Sequence, residues 1–430
     1  MPSIAGENTF STLNGWFKEL YASEEERPLP KASWLLKNIK FNKAEAGVGN
    51  KYHQPVLLSH EHGITTAGVD AGAFTLNQAV AGVMKDATIE GMQMVLRSRM
   101  DYETAARAAN SKASFGSATE LLVKNMLESI SKRLEIMFLY GQKGIGAVNA
   151  LTAASTTFVV SAATWAASIW AGMEGAKIDI LNSGLTAYSS AGAASNIGIV
   201  SVNFSTRTVT LSAAMTLAAG DLVYFRGAVV PGAPATHTEF MGLDAITTEA
   251  TTLFGINVAT YSMFRGQSEA ISGPLTVTNT LNGLLPAIGK GLMEDVTMLC
   301  SPKAFQGLVN PLVDPKASSG STNSQVNATQ LKRDGGRLLE LGSESCKILG
   351  NQGTIEIVPH LFVKDGEAFI FPKSALKRVG ATDVTFNLPG RGDEFFLHVP
   401  DAAGYELRCY SNQALFSPSP SRLTKYTAIS

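Results

Sequence analysis

The chain has 430 residues, of which 17% are charged, with a formal net charge of −1 and three cysteines. The balanced charge gives no sign of a basic nucleic-acid-binding protein, and three widely spaced cysteines without a CxxC motif argue against a disulfide framework and for folding in a reducing compartment. A chain of this length is expected to form two or three packed units, and its low charge suggests that much of its surface is buried between subunits.

Residues 1–50 are predicted to form an N-terminal arm. They contain SEEERPLPKAS, whose prolines favour an extended path, and one short helix is expected near Phe10–Tyr21. The first residues, MPSIAGENTF, do not have the pattern of a signal peptide. Residues 51–95 follow as two extended segments around the Gly-rich AGVDAGA, and this arrangement predicts a long β-hairpin loop.

Residues 96–149 contain the strongest helical pattern, SATELLVKNMLESISKRLEIMFLYG. Ser117 and Glu120 match a capping box and Gly141 is a stop signal, which predicts a helix over 117–141. Charges of alternating sign recur every four residues from Glu120 and support it. An apolar stripe on another face predicts burial along one side, so that aspartate at its first two positions would prevent soluble folding; the stripe comprises Val123, Leu127, Ile130, Leu134 and Met137.

Residues 150–230 are rich in strand patterns, namely TTFVVS, AKIDIL, IGIVSVNF, RTVTLS and DLVYFRG. Val209 and Leu211 alternate with polar residues, and a turn follows at Gly220–Asp221. This pattern predicts a small β-barrel or sandwich. Its few charges near the hairpin, Arg207, Asp221 and Arg226, are the candidates for polar contacts to neighbouring subunits.

Residues 231–395 are predicted to form a central α/β domain with strands that return to the peripheral domain, and 396–430 a C-terminal strand and tail. VTMLCSP has the pattern of a buried strand, KAFQGLVNPLV follows as a helix, and 313–336 is a polar loop. Because mixed α/β segments lie on both sides of the β-rich residues, the latter are interpreted as an inserted domain.

The sequence predicts no catalytic, cofactor or metal site. His60 and His62 in SHEHG could share one face of a strand and ligate a metal, but no third ligand stands out nearby. GLLPAIGKG at 283–291 departs from a phosphate loop, because Gly291 occupies the position of the Ser or Thr that would meet magnesium. The absence of a catalytic constellation favours a role in assembly.

The order of elements resembles that of the major capsid proteins of tailed bacteriophages, which have the Hong Kong 97-type fold. The resemblance rests on GLDAITTEATTLFGINV, MLCSPKAFQGLV, IEIVPHLFVKDGEAFIFPKSAL and VSVNFSTRTVTLSAAMTLAAGDLVYFRGA. It implies an α+β fold in which 117–141 is a long spine helix, 51–95 is the extended loop that reaches over a neighbour, and 150–230 is an inserted β-domain.

The same resemblance implies a shell protein that self-assembles into hexamers and pentamers around double-stranded DNA, which it contacts without sequence specificity. A scaffolding protein, a portal and a decoration protein are the expected partners, without a membrane, and the protein would be assembled in the bacterial cytoplasm and reside in the virion. Because about fifty residues precede the hairpin, we expect a separate scaffolding protein and no cleavage of a long N-terminal segment.

Two other functions are compatible with the sequence. An encapsulin-like nanocompartment protein would have the same fold, although the β-insertion and the length favour the viral shell. A metal-dependent enzyme using His60 and His62 is the alternative of a different class, and the metal content of purified protein would distinguish it.

Overall fold

The fold was analysed in a computed structural model, which describes residues 33–43, 51–70, 72–101, 103, 118–313, 346–350, 352–387, 396–398 and 404–429. The short helix expected near Phe10–Tyr21 and most of the polar loop at 313–336 lie outside these residues. The α-helices of the described part are α1 (Trp34–Asn38), α2 (Ala118–Tyr140), α3 (Ala167–Trp170), α4 (Leu243–Thr248), α5 (Val277–Gly289) and α6 (Pro302–Val313).

A long hairpin precedes the first large sheet. Its strands are β2 (Lys51–Ser59) and β3 (Val83–Glu90), which pair antiparallel from Lys51–Glu90 to Ser59–Val83. The extended pattern predicted for 51–95 is therefore present, but the hairpin ends at Glu90. The following strand, which begins at Met92, belongs to a different sheet.

The first large sheet joins distant parts of the chain. It has five strands, β1 (Phe41–Lys43), β4 (Met92–Asp101), β20 (Lys377–Thr385), β21 (Phe396–His398) and β22 (Gly404–Phe416). The 13-residue strand β22 is the centre, because β4, β20 and β21 all pair with it. The long helix α2 contacts β4 and β22, and the inner side chains of β4 pack against the same core.

The predicted helix over 117–141 is observed as Ala118–Tyr140, but its buried face differs from the expected stripe. Ile130 is buried, whereas Leu127 is 38% exposed and Met126 is buried in its place. Every residue from Leu134 to Tyr140 is buried, because α1, α4 and the first sheet surround this half of the helix. The expectation of burial along one side was therefore wrong for the last two turns, whose nearly continuous apolar run is typical of an enclosed helix.

The β-rich segment forms a closed six-stranded barrel. Its strands are β5 (Gly146–Ala147), β6 (Thr152–Val159), β7 (Lys177–Leu181), β8 (Ile197–Asn203), β9 (Thr208–Leu217) and β10 (Leu222–Phe225), in the order β5-β10-β7-β8-β9-β6. A bridge between Val148 and Val160 joins the first and last strands, and Ser161 N donates to Ala147 O at 2.8 Å. The sequence left barrel and sandwich open, and this closure makes it a barrel.

The two ends of the barrel segment lie next to each other. Gly146 pairs with Val223 in neighbouring strands, and Ile145 N donates to Val223 O at 2.8 Å. The chain therefore enters and leaves the barrel at one place, as an insertion requires. The barrel interior is continuous with the main core, since Phe158 and Val209 belong to the same buried cluster as residues of α2.

The second large sheet contains the C-terminal residues as an inner strand. Its order is β15 (Gln267–Gly273), β23 (Thr424–Ile429), β19 (Ala368–Phe371), β16 (Val296–Cys300), β18 (Gly353–Pro359) and β17 (Cys346–Gly350). The expectation of a tail after the last predicted strand was wrong for 424–429, because β23 lies between β15 and β19 and its Tyr426 is fully buried. A separate buried cluster on this sheet includes Leu284 of α5.

Two short strand pairs complete the described fold. They are β11 (Val229–Val230) with β12 (Thr236–His237), and β13 (Thr252–Leu253) with β14 (Ile256–Asn257).

Candidate interaction surface

The base of the hairpin is fixed to the body of the subunit. Ala87 in β3 is fully buried, and Thr88 N donates to Phe254 O at 2.9 Å. On β2, the ring of Tyr52 meets that of Phe416 edge-on with 5.6 Å between centroids. Burial alternates along β2, so one face lies against the core and the other is exposed.

Beyond these strands, residues 60–70 and 72–82 form two extended limbs that are joined by hydrogen bonds. His62 N donates to Val80 O at 3.0 Å. Asn77 connects to the opposite limb twice, through N to Thr65 Oγ1 at 2.8 Å and through Nδ2 to Ile64 O at 2.9 Å. We call residues 60–82 the hairpin tip.

The hairpin exposes an unusual number of large apolar side chains. Val69 is 96% exposed and Ile64 is 76% exposed. The exposed set on the hairpin is Leu57, Ile64, Val69, Phe74, Leu76, Val80 and Met84. Single exposed apolar residues are ordinary, but a concentration of them on one segment makes the hairpin a candidate interaction surface.

A groove lies between β4, α2 and the rim of the barrel, with a cavity volume of about 270 Å³. Apolar side chains of β4 and α2 line it, and Arg133 and Glu239 bond at 2.6 Å at its side. The guanidinium carbon of Arg133 lies 3.2 Å from the centroid of the Phe225 ring. Burial lowers the pKa of Arg133 to about 10, and Glu239 opposes this change. Arg226 also lines the groove, and it is exposed.

The three charged residues predicted to contact neighbouring subunits have different environments in the structure. Asp221 is buried, and its Oδ2 accepts a hydrogen bond from Ala218 N at 2.9 Å. Its carboxylate therefore stabilises the β9–β10 turn inside the subunit, which argues against an intersubunit role. Arg207 is half-buried with its Nε 3.4 Å from Val160 O, so it and the exposed Arg226 remain the predicted contacts.

His60 and His62 lie just after the end of β2, and both are exposed. The strand geometry that would place them on one face as a ligand pair does not extend to them. Among the described residues, no group of three or more His, Cys, Asp and Glu side chains could hold a metal ion. No helix in the described part of the chain is long and apolar enough to cross a membrane.

The extended form of the hairpin was predicted from the sequence, but the residues that form its exposed apolar surface were not identified. Ile64, Val69, Phe74 and Leu76 occur in and around a Gly-rich stretch without a strand or helix period. Large apolar residues in such a segment have no intramolecular core to join. Large apolar residues in a segment without a strand or helix period were therefore the sequence feature that could have identified this surface.

The sequence matches no model of a known protein family and no curated protein. The fold is similar over nearly the whole chain to solved shell structures. A chain of the cyanophage A-1(L) capsid asymmetric unit aligns with a TM-score of 0.54 and 11% identity, covering 98% of this chain and 99% of that chain. A chain of the capsid of a native GTA particle aligns with a TM-score of 0.50 and 7% identity, covering 99% and 100%. The chain therefore has the fold of these capsid subunits.

Proposed function

We propose that the protein is the major capsid protein of a tailed bacteriophage, with the Hong Kong 97-type fold, and that it assembles into the icosahedral shell around double-stranded DNA. The hairpin is the observation that carries this proposal. It projects a row of apolar side chains that have no partner core within the subunit, on a fold that it shares with capsid subunits over nearly its whole length.

The physical reason is the free energy of burying the hairpin. Each large apolar side chain removed from water contributes about 1.5–3 kcal/mol, so seven on one segment supply a substantial driving force. A rigid base and hydrogen bonds across the tip reduce the entropy lost when the hairpin docks on a neighbour. Because each copy has one such hairpin, contacts repeat around a ring and produce closed hexamers and pentamers.

In this function α2 is the spine helix and the barrel is an inserted domain that adds stability and contacts between subunits. The protein acts structurally, not as a catalyst. Its partners are other copies of itself, a scaffolding protein, a portal, a decoration protein and the packaged genome. It assembles in the host cytoplasm and resides in the virion.

Electron microscopy of the expressed full-length protein tests the proposal, and closed shells are the expected result. The double variant Ile64→Ser/Leu76→Ser should fold but remain unassembled, because both side chains are exposed in the subunit. Met293→Ser is the matched control, since Met293 is 73% exposed but lies outside the hairpin; it should assemble.

Two results would count against the proposal. A stable monomer of the unaltered protein under assembly conditions, seen by analytical ultracentrifugation, would remove the shell function. Normal shells from the hairpin variant would show that the exposed apolar row is not the assembly contact.

A further inference from the structure

The outer face of the first large sheet has three arginines on neighbouring strands. Alternation along β4 places Arg97 and Arg99 on its exposed face. The antiparallel register sets Arg97 opposite Arg408 and Arg99 opposite Glu406 in β22. The other face of β4 packs against the core, so these four residues share the opposite face of the sheet, where Arg97 and Arg99 are exposed and Glu406 is only 3% exposed. We call this group the arginine face.

Glu406 holds two of the arginines. Its Oε2 accepts a hydrogen bond from Arg99 Nε at 2.8 Å, and its Oε1 accepts one from Arg408 Nε at 2.5 Å. Both arginines bond Glu406 through Nε, and the side chains of Arg99 and Arg408 are 57% and 41% exposed. Hydrogen bonds from Arg99 and Arg408 lower the pKa of Glu406, which keeps it a carboxylate. The two guanidinium groups are thereby positioned while still open to solvent.

The arginine face has a surplus of positive charge. Three arginines are opposed by one glutamate, and Asp101 is the next charged residue along this face of β4. Like charges directly opposite each other destabilise a sheet, and Arg97 stands opposite Arg408. Arg97 makes no ion pair with another residue in the described part of the chain. An anion from outside the subunit would offset this repulsion.

We propose that the arginine face binds backbone phosphates of the duplex DNA enclosed by the shell, and is thus the inner surface of the subunit. This inference rests on the proposed capsid function. Guanidinium groups match phosphate oxygens through paired hydrogen bonds, and phosphate contacts carry no sequence information.

The composition of the face favours DNA over a second copy of the chain. Protein interfaces have apolar cores and are poor in charge there, whereas the large exposed apolar residue on this part of β4 is Val95 alone among the described residues. A net charge of −1 for the whole chain does not oppose the proposal, because a local surplus on one face is sufficient. Weak contacts repeated in every subunit add together along one duplex.

The test measures binding of a fluorescein-labelled random-sequence 30-base-pair duplex to the full-length, unassembled subunit by anisotropy, between 50 and 200 mM KCl. Each lost phosphate contact should lower the slope of log affinity against log salt by about 0.9. Arg97→Gln/Arg408→Gln should therefore reduce the slope by about 2. Between 50 and 200 mM KCl, the loss of affinity in this double variant should then be about tenfold smaller than the loss in the unaltered protein. Arg265→Gln is the matched control, because Arg265 is exposed outside this sheet, and it should leave the slope unchanged.

The outcomes separate this inference from the capsid proposal. If the double variant has an unchanged salt slope and forms normal shells by electron microscopy, the arginine face does not bind DNA, and the capsid proposal is unaffected. Loss of shells with unchanged DNA binding assigns the face to a contact between copies and also overturns it. Failure of the unaltered protein to form shells refutes the capsid function, and this readout does not depend on DNA.

Discussion

The imidazole of His360 and the carboxylate of Glu135 lie 3.0 Å apart, both buried, although 225 residues separate them in the chain. His360 Nδ1 accepts a hydrogen bond from Phe362 N at 3.2 Å, which assigns the proton to Nε2 as the donor to Glu135. The same carboxylate accepts bonds from Leu35 N at 2.7 Å and Leu36 N at 3.1 Å. One side chain of α2 thus joins α1 to the loop after β18.

Replacing Glu135 should therefore destabilise the subunit strongly. Glu135→Ala leaves the buried Leu35 N–H, the partly buried Leu36 N–H and the imidazole without an acceptor, and should lower the free energy of unfolding by about 3–5 kcal/mol. Glu135→Gln keeps one acceptor oxygen and should cost less. Urea denaturation of the unassembled subunit measures both. Glu90→Gln, which breaks the exposed 2.9 Å ion pair with Lys51, should change stability by less than about 1 kcal/mol; equal effects at the two sites would contradict this assignment.

The burial of α2 predicts different outcomes for two neighbouring positions. Ile130→Asp places an unpaired charge in the core, since Ile130 is 2% exposed, and should prevent soluble folding. Leu127 is 38% exposed, so Leu127→Asp should yield folded protein, contrary to the expectation from the apolar stripe. Soluble yield and circular dichroism distinguish the two. Insolubility of both variants would mean that Leu127 is covered in the folded subunit.

The adjacent ends of the barrel predict that it can be removed. Replacing 146–225 with a short Gly/Ser linker should leave the α/β remainder folded, because Gly146 and Val223 already pair. Its free energy of unfolding should fall, because Phe158 and Val209 of the barrel belong to the main core. Shell assembly or heat resistance should be impaired. The isolated segment should give a β-type circular dichroism spectrum with a cooperative melt, although at about 80 residues it would be only marginally stable. A deletion that assembles and resists heat like the parent would contradict the stabilising role.

The contact between α5 and β23 predicts an unusual result for a glycine in a helix. Alanine normally stabilises a helix interior relative to glycine by about 0.5–1 kcal/mol. At Gly283, however, a Cβ would lie 2.5 Å from the buried ring of Tyr426, whose hydroxyl donates to Thr280 O at 2.6 Å. Gly283→Ala should therefore destabilise by about 1–3 kcal/mol. Gly289→Ala has open space around its Cβ and should not; thermal melts of the two variants decide.

Stability above neutral pH should depend on Lys132. Burial lowers its pKa from 10.5 to about 8, with Glu174 opposing the change, while Nζ donates to Ala171 O at 2.6 Å. Between these pH values the unfolded chain binds more protons than the folded one, so stability rises with pH. The unaltered protein should thus gain stability relative to Lys132→Met as pH rises from 8 to 10. Urea denaturation across this range would show a constant difference if Lys132 were fully solvated.

Local sequence patterns were sufficient to predict the elements whose structure depends mainly on residues close together in the chain. The alternation at Val209 and Leu211 and the turn at Gly220–Asp221 predicted strands and a turn that the structure contains. The long helix was predicted within one residue at each end. Both depend on neighbours in the sequence, where side-chain period and turn chemistry act directly.

Features that depend on tertiary contacts could not be predicted from the sequence. The burial of Met126 in place of Leu127 depends on which elements surround α2. Residues 424–429 have no long alternating run, and their place inside the second sheet depends on pairing with strands far away in the chain. The arginine face required the register between β4 and β22, because 311 residues separate Arg97 from Arg408 in the sequence.

The inner position of β23 has a consequence for the timing of synthesis. Every other strand of the second sheet precedes β23 in the chain, yet β15 and β19 pair with it rather than with each other. While the ribosome is still translating residues before 424, this sheet remains split into two parts. A nascent chain therefore cannot complete its fold until β23 has emerged from the exit tunnel, and interrupted translation products would be excluded from any assembly that requires the finished sheet.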